Sequence, residues 1–405
     1  VLNPDRALPH RRGHPRRHGP STMKDTAHRI AHFKDSIFGT MSRLAREHNA
    51  VNLGQGFPDF DGPEWIKQLA QEKIQQGFGQ YAPFMGTASL REAVASYYQR
   101  FYKLSYNPES EISITVGATE GLFSTILGVV DPGDEVIVLE PFYDSYVASI
   151  EMAGGKAVPV TMRAPNFTVN AEDLAAALTS KTKMIIVNNP HNPTGKVWEK
   201  NELQVIADFA VQNDLLVISD EVYEFLLFDG AGHHPLALFT GMWDRTFTIS
   251  SAGKTFGLTG WKTGWVCAPA ALTKAVRLVH QYVTFSVNTP MQEAVAQGLG
   301  RLESYVPEFQ AQYKAKRDYF YDGLKKLGFV FAIPRGTYFM MVPLKGKTAK
   351  TDVDFAMELV KDRQVAVVPP SAFYLKSNEG QLFLRFCFAK KEETLAAALK
   401  NLEGL

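Results

Sequence analysis

A chain of 405 residues that is 45% hydrophobic has enough apolar material for a large core and for two domains rather than one. A net charge of +1 gives no electrostatic reason to expect nucleic acid or an anionic membrane as partner, and no apolar run reaches membrane-spanning length or forms the centre of a cleavable signal. The two cysteines, Cys267 and Cys387, each lie in an apolar strand-like run, which excludes a disulfide framework and a thiolate metal site; a soluble, cytoplasmic protein without metal is expected.

Residues 1–22 stand apart. Arg6, Arg11, Arg12, Arg16, Arg17, His10, His14 and His18 are mixed with prolines and show almost no apolar periodicity. Such a segment cannot pack, and it is expected to be a disordered or non-native extension ahead of a natural start at Met23. The prolines would break the amphipathic helix of a targeting peptide, and the histidines read as solvated. From Ile30 onward, helical and strand patterns alternate. Apolar residues recur at helical spacing in 69–76 and 90–102, whereas 112–116, 135–139, 184–187, 215–219 and 246–250 are short, mostly apolar and strand-like. Strands alternating with helices predict an α/β architecture with a mostly parallel sheet covered on both faces.

Ligands of such sheets sit beyond the carboxyl ends of the strands, which directs attention to the residues that follow each strand. After 112–116, Gly117, Ala118, Thr119 and Gly121 lead into a helix over 122–130. Orphan amides and a positive dipole end there suit an anion, although an ordinary capped helix gives the same pattern. After 135–139, Tyr143 offers a ring face and taken alone reads equally as core. The loop 188–195 contains two asparagine–proline steps and holds the carboxamide of Asn192 in a rigid setting. The strand 215–219 leads into Asp220, with Tyr223 close behind. A carboxylate at the buried end of an apolar strand costs several kcal/mol of desolvation unless a cation or strong donors face it, and a protonated pyridine nitrogen is such a cation. An N-cap aspartate opening a helix at Glu221 is the plainer alternative.

Lys254 follows the strand 246–250 among small and hydroxyl residues, in Ser250-Ser251-Ala252-Gly253-Lys254-Thr255, with Lys262 further on. An amine becomes a useful nucleophile when desolvation or a nearby cation lowers its pKa, and Ser251 with Lys262 suits a phosphate. These are the needs of pyridoxal phosphate. The Gly253-Lys254-Thr255 triplet does not close a nucleotide-binding loop, because the first glycine of that pattern would fall at Thr248. A strand-to-helix turn with an exposed lysine is the bland alternative. Near the C-terminus, Arg385 is embedded in the apolar run 381–388. Its planar fork matches a carboxylate bidentately, and an edge-strand arginine bonded to a local acid is the rival reading.

Taken together, these segments resemble fold-type I pyridoxal-phosphate enzymes of the class I/II aminotransferase family, above all the kynurenine/glutamine/methionine aminotransferase branch, whose members also act as cysteine-S-conjugate β-lyases. The likeness runs from about residue 37 to the C-terminus. It is carried by Asn52-Leu53-Gly54-Gln55-Gly56-Phe57-Pro58-Asp59-Phe60, Gln80-Tyr81-Ala82-Pro83, the loop 188–195, the runs 219–223 and 251–254, and Arg385. The resemblance implies a mostly parallel, seven-stranded type of sheet flanked by helices, with a smaller α+β domain. Residues 58–296 would form the large pyridoxal-phosphate domain, and 23–57 with 297–405 a small domain that closes over it.

Roles follow by resemblance. Lys254 would carry the cofactor covalently and then shuttle the proton, Asp220 would keep the pyridine nitrogen protonated, and Asn192 and Tyr223 would hydrogen-bond the phenolic oxygen. Ala118, Thr119, Ser251 and Lys262 would hold the phosphate while Tyr143 stacks on the ring. Tyr81 would reach the phosphate of a neighbouring subunit, implying a homodimer. Arg385, Gly56 and Asn192 would bind the substrate carboxylate, with Phe38 and Phe285 supplying apolar surface. The expected reaction is a ping-pong transfer of an amino group from a neutral, aromatic or sulfur-containing amino acid (methionine, glutamine, phenylalanine, tyrosine or kynurenine) to a 2-oxo acid. Strong kynurenine enzymes of this branch often carry a tryptophan near Ile37 or Phe38, and this chain does not. β-Elimination from a cysteine conjugate and aminocyclopropane-carboxylate formation are rival chemistries of the same site. A cofactor-binding gene regulator would need a DNA-binding module that the first 22 residues do not contain.

Overall fold

Strands that are apolar on both faces are satisfied only between two layers of helix, and that requirement decides this architecture. The computed structural model describes residues 27–33 and 35–405; the extension expected over 1–22 lies outside the described residues. Asp35–Leu405 forms one compact unit, and the other unit, Val1–Lys34, contains the short 3-10 turn His28–Ile30.

Eleven strands occur among the described residues: β1 (Val51–Asn52), β2 (Ile112–Val116), β3 (Glu135–Glu140), β4 (Lys156–Thr161), β5 (Thr182–Asn188), β6 (Leu216–Asp220), β7 (Thr246–Ser251), β8 (Thr263–Cys267), β9 (Phe339–Pro343), β10 (Val365–Ala366) and β11 (Phe383–Cys387). Seven of them form one sheet in the order β2-β8-β7-β6-β5-β3-β4. Only β8 runs against its neighbours; the remaining pairs are parallel. Alternate side chains sort to opposite faces. Ile137, Leu139, Ile185, Val187 and Val217 meet Leu203, Ile206 and Ala210 of the helix Lys200–Gln212. Val136, Val138, Met184, Ile186 and Ile218 meet Leu122 and Ile126 of the helix Gly117–Val129 and Val276 of the helix Ala270–Val283.

All five strands expected from the sequence are present, with ends displaced by at most two residues. Two others were not legible. β4 is a sheet edge, half-exposed and containing Pro159. β8 includes Gly264, and glycine argues against a strand until its setting is known: a Cβ there would stand 2.6 Å from the backbone carbon of Gly117. Two local expectations are corrected. The helix expected over 122–130 begins at Gly117, so Ala118 and Thr119 belong to its first turn. No helix opens at Glu221, where residues 222–225 form a turn, so Asp220 is not a helix cap.

Beyond the large sheet, β9 pairs antiparallel with β11 and β1 pairs parallel with β10. The helices Leu302–Lys326, Asp352–Arg363 and Glu392–Asn401 bury apolar faces against these short strands. A buried carboxylate ties this region to the large sheet. Glu140, the last residue of β3 and fully buried, accepts the backbone amides of Leu375 (2.8 Å), Lys376 (3.0 Å) and Ser377 (2.9 Å) and the hydroxyl of Thr161 (2.7 Å). Four donors to one carboxylate offset its desolvation, and removing the acceptor strands three amides. Glu140→Ala is expected to lower the unfolding free energy by about 3 kcal/mol, seen as an earlier denaturant midpoint; an unshifted midpoint would contradict the clamp.

Candidate active site

Parallel register brings the strand ends together. Asn188 at the end of β5 lies opposite Asp220 at the end of β6, and Ser251 at the end of β7 lies opposite Gly264 of β8. Above them is a cavity of about 320 Å³. Its lining includes Phe38, Gly56, Ala118, Thr119, Tyr143, Asn192, Asp220, Tyr223, Ser251, Lys254, Lys262 and Arg385, so residues far apart in sequence converge as expected. Two do not join them. Tyr81 and Phe285 are 83% and 48% exposed, outside the cavity, and their rings meet edge-on at 5.5 Å. Within one chain the expected contribution of Phe285 to a substrate pocket is not met.

The floor is Asp220. Burial pushes its carboxyl up to about 6, although Tyr146 donates to Oδ2 at 2.6 Å and the Val222 amide to Oδ1 at 3.3 Å. It forms no ion pair among the described residues, so a carboxylate is held in the protein interior with room above it and no cation of its own. Asn188 donates its amide to the Asp220 carbonyl at 2.9 Å and accepts the Asn192 amide at 2.7 Å, which fixes the mouth of the loop 188–195. His191 in that loop is driven down to about 3 by burial and pairs with Thr194 at 2.8 Å; it is a neutral strut.

Lys254 sits on the one-turn helix Ala252–Thr255 directly after β7. Burial lowers its pKa from the usual 10.5 to about 8, and Lys262 and Arg385 push the same way. The amine donates to Tyr338 Oη at 3.0 Å and to the Gly56 carbonyl at 3.4 Å. Tyr223, buried behind it with its phenol raised by burial, packs edge-on against Tyr338 at 5.3 Å.

Opposite lies an anion cradle. The helix Gly117–Val129 has Val116 at its N-cap and no side-chain cap, so its first amides lack the usual partner. Gly117 is in the left-handed region, φ 71°, and a Cβ there would stand 3.1 Å from Lys262 Nζ. The helix dipole, free amides, a lysine and the Ser251 hydroxyl surround one space. At the far wall, Arg385 is 1% exposed, donates to Asn192 Oδ1 at 3.1 Å and to the Gly54 carbonyl at 2.6 Å, and packs over Phe339 at 4.1 Å. Its Nε is buried without a partner. Neither hydrogen-bond partner is an acid and Arg385 forms no ion pair among the described residues, although Asp144 lies within Coulombic reach; the guanidinium is left able to take a ligand anion.

These features fit pyridoxal phosphate: an unopposed buried carboxylate for a ring cation, a desolvated amine for an aldehyde, and an uncapped helix start beside a lysine for the phosphate. Comparison with known proteins gives the same family. Residues 48–402 match the model of aminotransferases of class I and II. The chain belongs to that family. The probable N-succinyldiaminopimelate aminotransferase of Mycobacterium tuberculosis is 42% identical over 94% of this chain and 98% of that protein, and the kynurenine–oxoglutarate transaminase of Dictyostelium discoideum is 42% identical over 91% and 94%. Among solved structures, the M. tuberculosis enzyme superposes with a TM-score of 0.91 over 93% of this chain and 99% of that one, at 42% identity. A methionine aminotransferase of Escherichia coli gives 0.90 over 94% and 99%, at 38% identity. This chain is thus a fold-type I aminotransferase, an enzyme that uses pyridoxal phosphate and acts on amino and oxo acids. No helix among its described residues is long and apolar enough to cross a membrane.

Tyr146 and Tyr338 were not anticipated. Tyr146 falls in the run 140–146, three residues after Tyr143, and its helical spacing was the available signal. Tyr338 reaches Lys254 only through tertiary packing, and nothing near it in the chain marks it.

An amine that titrates near 8 is mostly neutral above that pH. Cofactor-free protein is expected to take up pyridoxal phosphate at a rate that climbs with pH through about 8 and then levels off, whereas an ordinary lysine would go on gaining toward 10.5. Stopped-flow absorbance across this range measures it; a rate flat through pH 8 contradicts the desolvated amine.

Proposed function

We propose that the enzyme transfers the amino group of a neutral amino acid with an aromatic or sulfur-containing side chain to a 2-oxo acid, by a ping-pong mechanism. The observation that supports this reading is the charge inventory of the cavity. Its charged lining residues are Asp220, Lys254, Lys262 and Arg385. With Asp220 and Lys254 committed to the cofactor ring and Lys262 to its phosphate, Arg385 alone remains for the α-carboxylate. No second cation stands among the described lining residues for a side-chain carboxylate, and Phe38, Phe57, Tyr143 and Phe339 offer apolar walls instead.

When bound, pyridoxal phosphate supplies the carbonyl carbon that receives the amino group and a ring that accepts electron density from Cα. Asp220 would hold the proton on the ring nitrogen, and that cation would offset the burial that pushes its carboxyl up to about 6. Asn192 and Tyr223 would hydrogen-bond the phenolic oxygen. The amides of Ala118 and Thr119, the Ser251 hydroxyl and Lys262 would hold the phosphate, with Tyr143 beside the ring. Arg385, with Asn192 and Gly56, grips the substrate carboxylate and so orients Cα–H toward Lys254. Lys254 would be the base that takes the Cα proton and the acid that gives it back; a pKa near 8 suits both directions near neutral pH. A single carboxylate site serves donor and acceptor in turn, which requires the first oxo acid to leave before the second enters.

The working unit in this reading is a homodimer, cytoplasmic, in which Tyr81 of one chain reaches the phosphate site of the other and Phe285 lines its substrate pocket. Their exposure, with Tyr282 at 85%, supports a covered aromatic face. The segments 23–57 and 297–405 act as the small domain that closes on substrate and excludes water.

A panel of amino donors against several 2-oxo acids tests the proposal. Methionine, phenylalanine, tyrosine and glutamine are expected to exceed aspartate and N-succinyldiaminopimelate by at least about tenfold in kcat/KM, since an unpaired carboxylate in an apolar pocket costs upwards of ~1.4 kcal/mol. Parallel double-reciprocal plots are expected for each good pair. Preference for either acidic substrate would overturn the assignment.

A further inference from the structure

We propose that Tyr338 is a positioning residue for Lys254: its hydroxyl takes one amine hydrogen and leaves the amine lone pair aimed into the cavity. The inference rests on the aminotransferase reading of Lys254. The geometry that carries it is a three-body arrangement. Tyr338 Oη donates to the Gly56 carbonyl at 2.6 Å, so its only proton is committed. Toward Lys254 Nζ, 3.0 Å away, it is then solely an acceptor. The Gly56 carbonyl, 3.4 Å from the same nitrogen, is a second acceptor.

A neutral amine has two hydrogens and one lone pair around a tetrahedral nitrogen. With both hydrogens directed at Tyr338 and Gly56, the remaining vertex is left free for the cavity that Lys254 itself lines. That vertex is the one that would meet the cofactor's aldehyde and take the proton from Cα. Tyr338 thus fixes the direction of the reacting orbital without touching the substrate; it is not among the cavity-lining residues and is 1% exposed. Its own place is fixed by packing. Its ring stands edge-on to Tyr223 at 5.3 Å, stacks with Tyr313 at 6.2 Å and abuts Phe339 at 4.8 Å. Thr337 just before it adopts φ 62°, which turns the chain into β9 and directs Tyr338 at Gly56. Burial keeps the phenol proton on, so the residue does not compete with Lys254 as a base.

The test is Tyr338→Phe in the full chain, which keeps the ring contacts and removes the one oxygen. Three readouts are taken beside wild type: steady-state kinetics of the holoenzyme, circular dichroism, and the pH midpoint of Lys254 reductive methylation in the cofactor-free chain, followed by peptide mass spectrometry. Expected are an unchanged spectrum, KM for the amino acid within about threefold, kcat lower by about tenfold or more, and a methylation midpoint about half a pH unit lower, because the ammonium has lost an acceptor. An unchanged midpoint, or an unchanged kcat, overturns the inference while leaving the wild-type activity, and with it the aminotransferase reading, intact. Should the variant not fold, a crystal structure of the wild-type cofactor-free chain decides, and a Lys254 Nζ to Tyr338 Oη separation beyond hydrogen-bond reach overturns it. Absence of transamination by wild type would instead sink the underlying reading.

Discussion

Desolvation of two opposite charges in one cavity is the constraint from which the rest of the site follows. A carboxylate at the end of β6 and an amine just after β7 are both withdrawn from water, and each shifts toward its neutral form: Asp220 up to about 6, Lys254 down to about 8. Asp220 ends β6 and Lys254 follows β7, two strands paired in register with Asp220 opposite Ile249. They are close enough to feel each other, and Asp220 draws the lysine pKa back upward. Yet Lys254 gives its hydrogen bonds to Tyr338 and Gly56, so the carboxylate keeps its face toward the cavity. A ligand with a cationic ring atom and an aldehyde satisfies both groups at once.

Withdrawing both groups from water costs stability locally, and the strands β6 and β7 that position them are held in the core. The strands bearing Asp220 and Ser251 are buried along nearly their whole length. Polar struts then hold the loops that no strand supports: Asn188 for the loop 188–195, Glu140 for 375–377, and Arg317, which bonds Asp229 at 2.6 Å and the Pro334 carbonyl at 2.9 Å. The preorganised cavity that results has its donors and acceptors in position before the substrate arrives.

Much of the candidate site was legible because three of its four charged residues violate a local rule. Asp220 and Arg385 stand in apolar strands, and Lys254 follows one among small residues; isolated charges in such settings need a partner, and sequence reveals that need. The parallel core strands were equally plain, since burial on both faces leaves short runs without polar alternation. β4 and β8 were hidden for the opposite reason. A half-exposed edge with a proline has no strong pattern, and Gly264 is required by the close approach of Gly117, a fact of the third dimension. Tyr146 and Tyr338 act through hydroxyls whose targets lie 74 and 84 residues away in the chain, and nothing local in a tyrosine announces its partner. The exposed Tyr81 and Phe285 form a third class, whose role depends on what covers them.

The covalent role of Lys254 is the claim on which the chemistry turns. Borohydride reduction of the holoenzyme, followed by proteolysis and mass spectrometry, addresses it directly. The account predicts a single pyridoxyl group on the peptide containing Lys254 and none on Lys262; a label on any other lysine, or no label at all, would contradict it.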